Sequence, residues 1–129
     1  MNELNITAKL FLLLGSVNAM LAVIFGAFGA HALKARLDES LLKVFQTANE
    51  YHFYHALGLI LLGIIAMNMP ANFWLKNSGW MMFAGIILFS GSLYLLSILN
   101  MRWLGMITPV GGVLFILAWA ILCVAVVKQ

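Results

Sequence analysis

One cysteine, two prolines and four acidic residues are all that a chain of 129 residues contains of those types. The single thiol, Cys123, excludes an intrachain disulfide framework, and its apolar surroundings read as helix packing. Charged residues make up 9% of the chain, against about 25% in soluble domains. No solvated segment joins a basic cluster to interleaved aromatics, which excludes nucleic-acid binding. No nucleophile–base pair stands at a diagnostic spacing, and no glycine-rich phosphate loop follows a strand. A proton-coupled exporter of the small four-helix type would need an acidic residue in the middle of its first helix, where this chain offers only Asn18. There is no internal repeat and no low-complexity segment.

What fills the chain instead is hydrocarbon: 64% of the residues are hydrophobic. A water-soluble fold of this size would have to expose large apolar patches. Runs of about 20 apolar residues are what a hydrocarbon layer about 30 Å thick demands of a helix. The expected fold is all-α, an integral membrane bundle of four transmembrane helices. Residues 1–129 form one domain, with helices over about 9–33, 40–69, 78–100 and 109–127.

Residues 10–33 are nearly unbroken apolar sequence. Ala30-His31-Ala32 resembles a signal-peptide cleavage site, but the run exceeds the roughly 7–15 residues of a signal core, so this helix is expected to be retained. Small residues at Gly15, Ala19, Ala22, Gly26 and Gly29 keep one face narrow, fit for close packing inside the bundle or against another copy. Asp38 precedes the second helix and Glu39 lies in its first turn, which suits the positive end of the helix dipole. Pro70 ends that helix, because a proline disfavours helical geometry in the residue before it. Phe73, Trp74 and Trp80 around Lys76 mark an interfacial belt. Gly79, Phe83, Ser90, Tyr94 and Ser97 fall near one face of the third helix and give it a polar seam. Thr108-Pro109 reads as an N-cap followed by proline at the first helical position.

Four spans impose an arrangement. The end of helix 1, the start of helix 2, the end of helix 3 and the start of helix 4 share one membrane side. That side gathers His31, Glu50, Tyr51, His52, Tyr54, His55, Tyr94, Ser97 and Thr108. It also holds Lys34, Arg36, Lys43 and Arg102, against Lys9, Lys76 and Lys128 opposite. The basic excess favours the polar side in the cytoplasm.

On helix 2, Lys43, Gln46, Thr47, Glu50 and Tyr54 share one face, and Tyr51, His52 and His55 another. The two histidines are three residues apart and could reach one point. No metal site is assigned; the alternative would be His31, His52 and His55 together. The plain reading of the cluster is hydrogen bonding between helices. Its functional reading is a pocket for a lipid headgroup or quinone-like molecule. Glu50 stands out, because a carboxylate within a span needs a partner.

Four blocks of the chain resemble a known family: residues 26–33 (Gly-Ala-Phe-Gly-Ala-His-Ala-Leu), residues 45–57 (Phe-x-Thr-Ala-Asn-x-Tyr-His-Phe-x-His-x-Leu), residues 89–94 (Phe-Ser-Gly-Ser-Leu-Tyr) and residues 108–112 (Thr-Pro-Val-Gly-Gly). They are similar to the small membrane proteins called domain of unknown function 423, with the eukaryotic transmembrane protein 256 as a relative. The resemblance implies an inner-membrane protein with several spans and brings no reaction. Its motif residues fall on His31, Glu50, Tyr51, His55, Tyr94 and Thr108, the expected pocket.

The expectation is therefore a non-enzymatic scaffold or accessory protein of the cell inner membrane. A binder or carrier of a small amphipathic ligand, or a subunit of a membrane enzyme acting on one, is the alternative. No catalytic residue and no cofactor is assigned. The expected partners are membrane lipids, another copy of the chain, or a second membrane protein.

Overall fold

Asn5 begins the first helix and ties it down. Its side-chain oxygen accepts from the Ala8 amide at 2.9 Å, and its Nδ2 donates to the Ala66 carbonyl at 2.9 Å. One side chain thus caps helix α1 (Ile6–His31) and fastens its start to the end of α2 (Glu39–Ala66). The structure is a computed structural model and describes residues 3–69 and 72–129.

Helices make up nearly all of the described residues, with no strand among them, and form an integral membrane bundle. Helix α1 starts three residues before the expected position because Asn5 supplies a cap. A short 3-10 turn, Leu33–Ala35, leads to Asp38, which accepts from the Leu41 amide and the Ser40 hydroxyl, each at 2.8 Å. Those two bonds, the Leu41 amide first, hold the Asp38 carboxyl below its usual pKa, with Arg102 on the neighbouring loop adding a smaller push. Helix α2 ends at Ala66, short of the expected Met69, and a turn follows through Met67 and Asn68. Pro70, expected to break the helix, lies outside the described residues.

Asn72 caps α3 (Phe73–Gly85) by accepting from the Leu75 amide at 3.0 Å. Phe73 and Trp74, expected before the helix, therefore belong to its first turn. The third span does not stop at Gly85. It widens into a π-helical segment, Ile86–Gly91, and resumes as α4 (Ser92–Leu99). Asn100 ends it in the left-handed conformation, φ 53°, which asparagine tolerates better than most residues. A 3-10 turn, Arg102–Met106, leads into α5 (Thr108–Val127), with Pro109 in the first turn. Thr108 is not the cap it resembles, because its hydroxyl turns to neighbouring segments instead of to a first-turn amide.

Three of the four spans are long and apolar enough to cross a membrane by themselves. The fourth, α2, is diluted by Gln46, Asn49, Glu50, His52 and His55. Its exposed residues beyond Tyr54 are apolar: Leu57, Leu61 and Ile64. The outer surface carries large apolar side chains on every span, among them Leu13, Val17, Ile87, Leu95, Val113 and Ile116. Such a surface suits lipid tails.

Helices α1 and α2 run antiparallel, and the small-residue face of α1 is consumed between them. A Cβ on Gly15 would lie 2.8 Å from both the Ala56 carbonyl and the Ile60 amide, and one on Gly63 would lie 2.8 Å from the Leu12 amide. Backbones this close gain dispersion contacts that larger side chains would prevent. Across the bundle, Gly111 of α5 sits directly on the backbone of Leu88 and Phe89 in the π segment. Phe11, Leu59, Leu62, Leu75, Met82 and Phe115 fill the centre. A second packed group at the polar end joins Leu33, Phe45, Ala48 and Tyr94.

Candidate functional site

The polar side chains expected to gather on one membrane side divide into separate groups. The first group is buried between α1, α2 and α4. His52 Nε2 meets Asn18 Oδ1 at 2.9 Å, and His52 Nδ1 meets Tyr94 Oη at 2.9 Å. Asn18 Nδ2 donates to the Leu14 carbonyl at 2.8 Å, which turns Oδ1 toward the imidazole. An amide oxygen only accepts, so Nε2 of His52 carries the proton and Nδ1 accepts from Tyr94. Asn49 completes the group by donating to the Ala22 carbonyl at 2.7 Å and to Tyr94 Oη at 3.1 Å. Both amide hydrogens of Asn49 are then used, and its Oδ1 points at Gly26.

The second group lies between α2 and α5. His55 Nδ1 donates to the Tyr51 carbonyl at 2.7 Å, and Nε2 accepts from Trp119 Nε1 at 3.0 Å. The His55 ring stacks on Phe115 with centroids 3.5 Å apart and planes 6° from parallel. Tyr51 leans over Phe89 at 4.9 Å with its ring partly exposed. The third group is a hydroxyl pair, Ser92 Oγ and Thr108 Oγ1 at 2.6 Å, joining α4 to α5.

His31 stands apart, exposed at the end of α1. Glu50 is also exposed, on the outer face of α2. It borders a groove between α1 and α2 made of two adjoining cavities of about 290 and 440 Å³, which share Gly26, Asn49 and Glu50. Gln46 lines the first and Tyr54 the second. On the other flank of α1, Phe25, Phe28, Tyr94, Leu95 and Ile98 line an apolar slot of about 340 Å³.

The six expected pocket residues therefore do not meet at one point. Tyr94 belongs to the first group, Tyr51 and His55 to the second, Thr108 to the third; Glu50 faces the groove and His31 lies exposed at the end of α1. The histidine pair also parts company. A separation of three residues leaves about 60° between side chains on a helix. That angle sends His52 toward α1 and α4 and His55 toward α5. Among the described residues, no three His, Cys, Asp or Glu side chains converge, so His31, His52 and His55 do not form a metal site there. Both ring nitrogens of His52 and of His55 are already engaged within the chain.

Sequence reasoning passed over Asn18, Asn49 and Trp119. Asn18 carried a readable signal, since an amide in the middle of an apolar helix needs a partner across a helix interface. Asn49 and Trp119 carried none, because what they bond depends on how the spans pack.

Residues 25–112 match a family model described as Protein of unknown function (DUF423). The chain belongs to the DUF423 family. The matched segment contains Asn49, His52, His55 and Tyr94; their partners Asn18 and Trp119 lie outside it. The chain is 49% identical over 120 residues to the UPF0382 membrane protein YwdK of Bacillus subtilis, covering 93% of this chain and 98% of that one. It is 48% identical over 120 residues to the UPF0382 membrane protein SAB0533 of Staphylococcus aureus, covering 93% and 97%. No solved structure matches. The relatives are named as membrane proteins and three spans are apolar enough to cross, so this DUF423 member is a multi-pass membrane protein.

Proposed function

We propose that this protein is a non-enzymatic scaffold or accessory protein of the bacterial inner membrane, whose polar cluster is a latch between spans. The observation that carries this reading is the closure of the Asn18–His52–Tyr94–Asn49 network. Every side-chain donor in it reaches an acceptor of the same chain, at distances of 2.7–3.1 Å. A catalytic or ligand-binding imidazole would leave a ring nitrogen turned to an open space, and both nitrogens of His52 are bonded within the bundle. The His55–Trp119 pair is closed in the same way. Lipids surround the apolar outer face, and another membrane protein or a second copy is the partner that a scaffold requires.

Native mass spectrometry of the protein in a mild detergent tests this. His52→Ala should lower the melting temperature and leave any co-purifying small-molecule mass in place. Loss of a discrete small mass in His52→Ala, with melting unchanged, would make the cluster a ligand site.

A second reading, binding of a small amphipathic molecule, is favoured by a different place. The α1–α2 groove is open, lies on the outer surface and presents the Glu50 carboxylate.

A further inference from the structure

We propose that the α1–α2 groove binds a phospholipid whose headgroup ends in a primary ammonium. The proposal rests on the second reading above and gives its ligand a chemistry.

The groove presents acceptors. Asn49 has spent both amide hydrogens on Ala22 and Tyr94, so the buried network holds its Oδ1 outward, over Gly26. Gly26 lines both cavities, and any Cβ there would stand 2.8 Å from that oxygen and cover it. Beside it lies the Glu50 carboxylate, which has acceptors only, and Gln46 offers a third oxygen. No lysine or arginine lines either cavity. A negative, acceptor-rich groove selects a cation with several N–H donors. A primary ammonium has three; a quaternary ammonium has none.

The depth selects a lipid. Glu50 is eleven residues into α2, about 16 Å along its axis at 1.5 Å per residue. Its side chain leans back toward the helix start, as all helical side chains do. The exposed face of α2 changes at this level, from Lys43, Gln46 and Glu50 above to Leu57, Leu61 and Ile64 below, with Tyr54 between. That is the transition from headgroups to hydrocarbon. Val23 and Phe53 flank the groove with apolar surface for acyl chains. Lys43, exposed on the same face and nearer the membrane surface, offers its ammonium to the lipid phosphate.

The test is native mass spectrometry of the full chain in mild detergent, titrated with dioleoyl phosphatidylethanolamine, phosphatidylcholine or phosphatidylglycerol. The ethanolamine lipid should occupy one site about tenfold more tightly than the choline lipid, as loss of charge-assisted hydrogen bonds implies. Glu50→Gln should abolish that preference with an unchanged melting temperature, because Glu50 is exposed and forms no part of the packed core. Soluble phosphoethanolamine at matched concentration should not displace the lipid; displacement would make a free amine the ligand and overturn the lipid assignment. Equal retention of all three lipids, or an unaltered preference in Glu50→Gln, would overturn the proposal. One Glu50-dependent site for the choline or glycerol lipid would overturn the ammonium assignment alone and keep a ligand site in the groove. Absence of any lipid adduct would remove the ligand-binding reading as well, and a Glu50-dependent dimer without lipid would make a second copy the occupant.

Discussion

Tyr94 Oη donates to His52 Nδ1 at 2.9 Å and accepts from Asn49 at 3.1 Å, so one phenol on α4 holds two side chains of α2. Because His52 reaches on to Asn18, that phenol also connects α4 to α1. Three spans meet at one imidazole, which is buried within the bundle with 3% of its surface exposed.

Removing that hydroxyl tests the junction. Tyr94→Phe keeps the ring between Phe25 and Phe45 but strands His52 Nδ1 and one hydrogen of Asn49. The expected loss is about 1 kcal/mol, the scale measured for hydrogen bonds between membrane helices. Equilibrium unfolding in mixed micelles with increasing dodecyl sulfate measures it.

Trp119 makes an analogous prediction at the other histidine. Trp119→Phe retains an aromatic ring but removes the indole N–H that donates to His55 Nε2. The variant should lose about 1 kcal/mol in the same unfolding assay. Its effect should add to that of Tyr94→Phe, because the two groups share no partner.

Neighbouring glycines separate packing from composition. A Cβ on Gly111 strikes the backbone of Leu88 and Phe89, which cannot move aside without displacing the π segment. A Cβ on Gly112 meets only the Phe89 ring, at 3.7 Å, an ordinary contact. Gly111→Ala should therefore destabilise by about 1–3 kcal/mol, the range for overpacking, and Gly112→Ala should be close to neutral. Thermal melts of the two variants side by side check the contrast.

The start of α2 should respond to pH. Hydrogen bonds from the Leu41 amide and the Ser40 hydroxyl lower the Asp38 pKa in the folded protein. A carboxyl with a depressed folded pKa contributes stability above its unfolded pKa, about 3.9, and loses that contribution as pH falls through the folded value. Amide exchange at Leu41 and Leu42 should thus show full protection at neutral pH and extra fraying below about pH 4. Asp38→Ala should fray at both pH values and lack the pH dependence.

The four-span layout was legible because hydropathy and helix length are local properties. So was the narrow face of α1, where Gly15, Gly26 and Gly29 recur at helical spacing. Helix ends were less legible: Asn5 and Asn72 look like ordinary polar linker residues until a first-turn amide is seen bonded to each. The π segment had no sequence signal, since it accompanies the approach of Gly111 from a distant part of the chain. At the polar end, His52 and Tyr94 were visible as residues in need of partners. That Asn18 is the partner of His52 depends on the α1–α2 register, which the glycines set. Grouping His52 with His55 by spacing overlooked the roughly 60° between them. That angle is enough to put them against different helices.

The latch is tested most directly by a double-mutant cycle of Asn18→Leu and Tyr94→Phe, read by unfolding in mixed micelles. Both side chains act through His52 without touching each other, so the account predicts a coupling energy of at least about 0.5 kcal/mol. Strict additivity of the two variants would mean that His52 does not join the spans, and would contradict the account.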